Sequence, residues 1–224
     1  MATDLQRVIL EPKSQPDASV IWLHGLGADG HDFEPIVPQL HLTPDNSVRF
    51  VFPHAPIRPI TINGGMEMRG WYDIAGQGLD RKVDEDGIRE SAQAVSALLD
   101  HEIENGINSQ RIVLAGFSQG GAIALHLGLR YQHRLAGILA LSTYLPLPDA
   151  LASEAHSAQL QLPIFIGHGR HDPLVPETLG SRSAQTLESA GYLVEYQTYP
   201  MQHSVSADEI LAVSIWIKQR LVAE

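Results

Sequence analysis

The sequence predicts an α/β fold: a mostly parallel central sheet with helices on both faces. Short apolar segments of strand length alternate along the chain with segments whose apolar residues recur every three or four positions. The early segment 18–23 is apolar almost throughout, as expected of a parallel strand that is buried on both faces. No linker, internal repeat or low-complexity segment divides the chain, so we assign residues 1–224 to a single domain.

The predicted elements follow one another in regular alternation. The strands comprise residues 7–10, 18–23, 47–52, 111–115, 135–141, 163–167 and 192–199. The helices comprise residues 84–105, 121–129, 176–190 and 205–221, and segment 32–40 is predicted to be a helix cut short by two prolines. Acidic residues crowd the first turn of helix 84–105, where the helix dipole favours negative charge. In the last helix, Ser206 and Glu209 have the spacing of a capping box.

Two connections between these elements bear on function. The stretch 55–80 is long, polar and rich in glycine, so it is either a functional loop or a surface excursion held by its aromatic residues. Only about twenty residues separate Leu141 from Pro163, which suits a short connection but is too little for an independent cap domain. We therefore expect no large cap domain and a site that is open or covered only by loops.

Composition excludes several classes of function. A formal net charge of −11 disfavours nucleic acid and anionic membrane surfaces as partners. The absence of cysteine removes disulfides, thiolate metal sites and a cysteine nucleophile, and it is compatible with a reducing compartment. The first residues lack the apolar core of a signal peptide, and no apolar run approaches the ~20 residues that span a bilayer. These features predict a cytoplasmic protein that is not an integral membrane protein.

The most informative motif is Gly116-Phe117-Ser118-Gln119-Gly120, which follows a predicted strand and precedes a predicted helix. In that context the pattern G-x-S-x-G is typical of a nucleophile elbow, a sharp turn that exposes a serine above the sheet. The serine of such a turn adopts a positive φ, and glycines beside it leave room for strand and helix to approach. The motif therefore predicts Ser118 as a nucleophile.

A serine hydroxyl needs a base, and the base needs an acid that orients it. In this class of fold the three groups follow the chain order serine, acid, histidine. Asp172 follows a late strand directly and is preferred over Asp149, which lies among prolines further from its strand. His203 follows the last strand and is the predicted base, since it is the only histidine after His171.

A glycine-rich loop at residues 24–30 follows the first strong strand. It lacks the lysine of a phosphate-binding P-loop and the spacing of a dinucleotide-binding loop, so a role in binding an oxyanion is favoured. We predict the backbone N–H groups of Leu26 and Gln119 as the oxyanion donors. His24 comes too early in the chain to be the base and is interpreted as a structural residue of the loop.

Taken together, the motifs resemble the phospholipase/carboxylesterase family of α/β-hydrolases. They occur in register along most of the chain: His24–Gly27, Asn63–Met66, Trp71–Asp73, Gly116–Gly121, the segment from His168 through Asp172 to Val175-Pro176, and His203. The resemblance implies an α/β-hydrolase fold without a large cap, Ser118, Asp172 and His203 as the triad, and Leu26 and Gln119 as oxyanion donors. We expect members to differ in segments 142–161 and 75–81, which would shape acyl-chain preference.

The main functional prediction is a serine carboxylesterase that hydrolyses short- to medium-chain esters through an acyl-enzyme. The alternatives are an acyl-protein thioesterase or lysophospholipase acting on long acyl groups, and a non-catalytic hydrolase-fold binding protein. Trp71, Leu174 and Val175, with Leu26, are the predicted acyl contacts. No cofactor or metal is expected, since Asp172 is better explained by the triad than by a ligand set with His168 and His171. The expected partner is a small acyl ester or thioester, an acylated protein or a lysophospholipid, and homodimerisation is left open.

Overall fold

Strands and helices alternate along the chain in the computed structural model, which describes residues 5–42, 47–76 and 82–222. The strands are β1 (Arg7–Leu10), β2 (Ala18–Leu23), β3 (Val48–Pro53), β4 (Ile57–Ile60), β5 (Met66–Arg69), β6 (Ile74–Ala75), β7 (Lys82–Val83), β8 (Ile112–Phe117), β9 (Gly137–Leu141), β10 (Pro163–Gly169) and β11 (Leu193–Tyr199). The α-helices are α1 (Glu85–Glu104), α2 (Gln119–Gly128), α3 (Leu151–Glu154), α4 (Glu177–Ser189) and α5 (Ala207–Leu221).

The central sheet has seven strands in the order β1-β3-β2-β8-β9-β10-β11. Only the pairing of β1 with β3 is antiparallel, with Arg7 opposite Pro53 and Leu10 opposite Phe50. The other pairs are parallel, so the carboxyl ends of β8, β10 and β11 meet at one edge of the sheet. The predicted mostly parallel sheet is confirmed, and this edge is where Ser118, Asp172 and His203 follow their strands.

Each face of the sheet packs against its own apolar cluster because side chains alternate along a strand. In β8, Ile112 and Leu114 face the cluster formed with α1, α2 and α4, whereas Val113 and Ala115 face the cluster formed with α5. A short 3-10 helix, Glu34–Leu40, joins α5 on the second face. Both faces are therefore covered by helices, as the apolar strands required.

Two segments differ from the sequence prediction. Segment 32–40 forms a 3-10 helix with Pro38 inside it, since proline removes the N–H donor that an α-helix needs. The stretch 55–80 was expected to be irregular, but it contains the antiparallel pair β4–β5, and its β6 pairs with β7. Residues 77–81, part of a segment predicted to vary in the family, lie outside the described residues.

The connection from β9 to β10 contains only α3 and two short 3-10 helices, Pro148–Ala150 and Ser157–Gln159. Across the described part of the chain, no large cap domain covers the carboxyl edge of the sheet. No helix in this part is long and apolar enough to cross a membrane.

Candidate active site

Ser118 lies at the turn between β8 and α2 with φ 54° and ψ −117°. This left-handed backbone is strained for a residue with a Cβ, and the tight packing around it maintains the strain. A Cβ built on Gly116 would lie 2.4 Å from the carbonyl carbon of Gly120, and a Cβ on Gly120 would lie 2.4 Å from the Leu23 carbonyl oxygen. Both positions therefore exclude any side chain. The serine carbonyl accepts a hydrogen bond from the Thr143 hydroxyl at 2.6 Å, which holds the turn from the neighbouring loop.

A continuous chain of hydrogen bonds links the three predicted groups. His203 Nε2 lies 2.9 Å from Ser118 Oγ, and His203 Nδ1 lies 2.6 Å from Asp172 Oδ2. With a proton on Nδ1, the imidazole donates to the carboxylate and its Nε2 accepts from the serine hydroxyl. Ser118 and His203, which are 85 positions apart in the sequence, thus lie within hydrogen-bonding distance of each other. This arrangement is able to activate a serine for attack on an acyl carbon.

Asp172 is held by the loop that carries it. Its Oδ1 accepts from the backbone N–H groups of Leu174 at 2.9 Å and Val175 at 2.8 Å, and its side chain is fully buried. Burial raises the pKa of this carboxyl, but the hydrogen bonds from His203, Val175 and Leu174 outweigh burial, and the pKa lies below its ordinary value. The carboxylate is therefore charged and oriented when the imidazole needs a partner.

His168 holds this loop through a hydrogen bond from its buried ring. Its Nε2 donates to the Val175 carbonyl at 2.8 Å, and the ring is completely buried, which lowers the pKa of the imidazole. The alternative in which His168 and His171 share a metal with Asp172 finds no support in the geometry. Among the described residues, no group of three or more His, Asp or Glu side chains is placed to hold a metal ion.

The predicted oxyanion donors border the same space. Gln119 is the first residue of α2, where the helix dipole and free N–H groups favour negative charge. Leu26 lies on the loop after β2 and lines the cavity beside Ser118. Within the described residues, neither backbone N–H donates to another backbone group. Both donors are therefore available to an oxyanion.

The Gln119 side chain ties the elbow to the segment after β5. Its amide oxygen accepts from the Trp71 backbone N–H at 2.7 Å, and its amide nitrogen donates to the Tyr72 carbonyl at 2.6 Å. The Trp71 indole N–H donates to the His24 carbonyl at 2.9 Å, and the Ser91 hydroxyl donates to the Trp71 carbonyl. Through Trp71, the two segments that carry the oxyanion donors are linked to each other.

Trp71 was expected as an acyl contact, and the structure places it elsewhere. It is 0% exposed and does not line the cavity, whereas its neighbour Tyr72 does. The physical reason is the set of polar groups that hold Trp71 in the interior. We therefore interpret Trp71 as a residue that positions the segments carrying Gln119 and His24, and Tyr72 takes its place at the cavity wall.

His24 behaves as a structural residue of its loop. The Ala55 N–H donates to its Nε2 at 3.0 Å, so its proton lies on Nδ1, 2.7 Å from the Gly25 carbonyl oxygen. Burial lowers the pKa of this imidazole to about 4, which keeps the ring neutral near neutral pH. A neutral ring is needed because Nε2 must accept the Ala55 hydrogen bond.

A cavity of about 560 Å³ lies over Ser118. Val175 and Leu174 line it as expected, Val175 as a buried residue and Leu174 with 60% of its surface exposed. Its wall is formed by Gly25, Leu26, Ala28, Asp32, Ile62, Asn63, Tyr72, Ile74, Phe117, Ser118, Gln119, Pro173, Leu174, Val175 and His203. Most of these side chains are apolar, which suits a hydrocarbon chain. Ile62, Ile74 and Phe117 were missed because the motifs in or beside which they occur do not specify which way these side chains face.

Glu209 is an unexpected buried acid on α5. The Ser206 hydroxyl accepts from its backbone N–H at 3.2 Å, which forms half of the predicted capping box. Its carboxyl turns inward against β10 instead of returning to the cap: a Cβ built on Gly167 would lie 2.2 Å from Glu209 Oε1. Both carboxyl oxygens lack a hydrogen-bond partner among the described residues, and burial raises the pKa to about 8.

The free energy of unfolding is expected to reflect this raised pKa. Because the ordinary value is 4.5 and the folded value about 8, the stabilising effect of the neutral acid is complete below pH 4.5 and lost as the pH rises through 8. Chemical denaturation of wild type and Glu209→Gln at pH 5 and pH 9 tests this. We expect the free energy of unfolding of Glu209→Gln, relative to that of wild type, to be about 4 kcal/mol higher at pH 9 than at pH 5.

The control for this measurement is Glu188→Gln, which removes an exposed carboxylate at the end of α4. It should follow the wild type at both pH values, since an exposed group is solvated in both states. Parallel pH dependence of Glu209→Gln and wild type would contradict a buried neutral carboxyl.

The phospholipase/carboxylesterase family model matches residues 5–221. The chain belongs to this family. An acyl-protein thioesterase 1 from Neurospora crassa is 42% identical over 213 residues, covering 91% of this chain and 87% of that protein. The family resemblance that the motifs indicated is thereby confirmed.

Solved structures of this kind are also similar. The crystal structure of Arabidopsis thaliana SOBER1 matches with a TM-score of 0.87 and 33% identity, covering 91% of this chain and 99% of that one. The Zea mays acyl-protein thioesterase 2 matches with a TM-score of 0.85 and 28% identity, covering 96% and 99%. The family member described here has the α/β-hydrolase fold and is an enzyme, a serine hydrolase that acts on ester bonds.

Proposed function

We propose that the enzyme is an acyl-protein thioesterase that removes long acyl chains from protein thiols, in the cytoplasm. The observation that carries the proposal is the Ser118–His203–Asp172 hydrogen-bonded chain at the base of a largely apolar cavity. Relatives named acyl-protein thioesterase 1 are 36–42% identical over at least 91% of the chain. The order of the two esterase hypotheses is therefore reversed. The thioesterase, first considered as the alternative to a short-chain carboxylesterase, is preferred.

The proposed reaction has two halves, formation of the acyl-enzyme and its hydrolysis, and each catalytic group acts in both. Ser118 Oγ attacks the thioester carbonyl carbon while His203 Nε2 takes the hydroxyl proton. The negative charge that forms on the carbonyl oxygen is bound by the N–H groups of Leu26 and Gln119, each donor lowering the barrier by about 3 kcal/mol. When the C–S bond breaks, His203 returns the proton to the sulfur and the thiol leaves. Water then attacks the acyl-Ser118 ester by the same route and releases the carboxylic acid.

Asp172 keeps the imidazole in the productive tautomer throughout this sequence. Its carboxylate accepts from Nδ1, so that Nε2 faces the serine as an acceptor. It also stabilises the imidazolium that forms in both halves of the reaction. The lowered pKa of Asp172 supports this role because the group is charged at neutral pH.

A chain-length series distinguishes long-chain from short-chain hydrolysis. We expect kcat/KM for thioesters of one thiol to rise by roughly threefold to fourfold for each methylene added, until the cavity is filled. The reason is the burial of each methylene against cavity residues such as Leu26, Ile62 and Ile74. The measurement is steady-state hydrolysis from the butanoyl to the palmitoyl thioester.

Two leucines of nearly equal exposure serve as a matched pair in the same assay. Leu174 is 60% exposed and lines the cavity, whereas Leu160 is 62% exposed and does not line it. Leu174→Ala should flatten the rise with chain length, and Leu160→Ala should leave it unchanged. A rate that peaks at short acyl chains and falls thereafter would favour the carboxylesterase instead.

A further inference from the structure

One cavity residue has no place in the proposed reaction. Asp32 lines the cavity and is exposed to solvent within it. Among the described residues, the titratable side chains of the cavity wall are Asp32, His203 and the Tyr72 phenol. Neither lysine nor arginine contributes to that wall. The cavity is thus electrostatically one-sided.

Asp32 and His203 line the same cavity. Its neighbour Phe33 has its ring 5.5 Å from the ring of Phe117, and the Phe117 ring lies 4.8 Å from the imidazole of His203. His203 is the group that returns a proton to the leaving thiol, so the thiol must depart beside this imidazole. Because Asp32 belongs to the wall of the same cavity, it lines the space from which the thiol departs.

The charge of Asp32 is not neutralised locally. The adjacent acids have partners, since Asp29 accepts from the His31 N–H at 2.8 Å and Glu34 pairs with the His31 ring at 2.8 Å. The Asp32 carboxylate takes part in no ion pair among the described residues. Partial burial, followed by the proximity of Asp29, raises the pKa of Asp32, as expected of a carboxylate without a cation.

A carboxylate in a cavity wall that has no ion-pair partner discriminates between charges that pass close to it. Two unit charges several ångströms apart at a protein surface interact strongly enough to change a rate roughly tenfold. The whole protein carries a formal net charge of −11, which acts in the same direction over longer distances. A cation on the leaving group is attracted to this region and an anion is repelled.

We propose that Asp32 makes the enzyme select substrates whose leaving thiol lies in a basic peptide, and reject those whose leaving thiol carries negative charge. The inference rests on the proposed thioesterase function and names the substrate class for the same site. It requires no new chemical step, because the charge acts on binding and on departure of the thiol.

The test uses three blocked peptides that carry the same S-octanoyl group on cysteine, flanked by lysine, glutamine or glutamate. For wild type we expect kcat/KM to fall in that order, by about tenfold from the first to the last, and the spread to contract at about 0.5 M salt. In Asp32→Asn the ratio of the lysine to the glutamate peptide should fall to about two. In Asp32→Lys the order should invert.

The control Glu188→Gln removes the same charge from an exposed site outside the cavity wall. It should keep the wild-type ratio, which separates a local effect from the net charge. Equal rates for the three peptides in wild type, or an unchanged ratio in Asp32→Asn, would overturn the inference and leave the thioesterase proposal intact. Hydrolysis of a simple short-chain ester with none of the thioester peptides cleaved would overturn the proposed function and the inference with it.

Discussion

Ser118→Ala is expected to abolish hydrolysis, with a fall in kcat on the order of 10⁶. The variant removes Ser118 Oγ, the atom that attacks the substrate's acyl carbon and carries the acyl group in the proposed reaction; it lies 2.9 Å from His203 Nε2. It leaves the strained turn and the oxyanion donors in place. The second measurement is intact mass after treatment with a fluorophosphonate, which adds one label to an activated serine.

We expect a single adduct on wild type and none on Ser118→Ala. Ser189→Ala is the matched control, since Ser189 is exposed at the end of α4 and its hydroxyl donates to the Gln185 carbonyl in its own helix. It should retain both turnover and the adduct. Full turnover of Ser118→Ala would remove the triad scheme, and an unlabelled wild type would favour the non-catalytic binding protein.

Asp172→Asn should lower kcat by about 10⁴, as in serine proteases with the same triad, and change KM little. An asparagine keeps an oxygen for the N–H groups of Leu174 and Val175, so the loop should stay in place. Its amide nitrogen would face His203 Nδ1 in place of Asp172 Oδ2, now 2.6 Å away. The imidazole would then carry its proton on Nε2 and could not accept the serine proton.

The rival acid of the sequence analysis is the control for this experiment. Asp149 is exposed in the 3-10 helix Pro148–Ala150, away from the hydrogen-bonded chain. Asp149→Asn should therefore retain wild-type turnover. The assignment of the acid would be wrong if Asp149→Asn caused the large loss and Asp172→Asn stayed within about tenfold of wild type. Steady-state kinetics with one thioester substrate decides between them.

Local sequence patterns predicted the elements that carry the chemistry. Helix α1 was predicted over 84–105 and runs over Glu85–Glu104, because Ile88, Val95 and Leu99 recur with the helical period and are fully buried. The elbow was recognisable because glycine is required where neighbouring backbone segments lie so close that no Cβ fits between them, as at Gly116 and Gly120. Both glycines stand at a fixed spacing from the serine in the G-x-S-x-G pattern, so the sequence displays the requirement.

The pairing of β4 with β5 was beyond the reach of those patterns. Arg58 and Pro59 interrupt the first strand, and Glu67 and Arg69 alternate with methionines in the second, so neither segment has the continuous apolar character of the central strands. Their pairing depends on hydrogen bonds between the two backbones, from Ile57 opposite Arg69 to Ile60 opposite Met66. Backbone pairing of two short polar segments leaves little trace in composition.

The sequence alone determined the fold class, the family and the identities of Ser118, Asp172 and His203 as candidates, since chain order and strand ends are written in it. Only the tertiary structure decided which of two adjacent aromatic residues faces the cavity. Trp71 is buried because Gln119, His24 and Ser91, which are distant in sequence, satisfy its polar groups, and Tyr72 is left to line the groove. It also decided that Glu209 turns towards the space above Gly167 instead of closing its capping box. Both outcomes depend on which side chains distant segments bring together, and local spacing does not encode that.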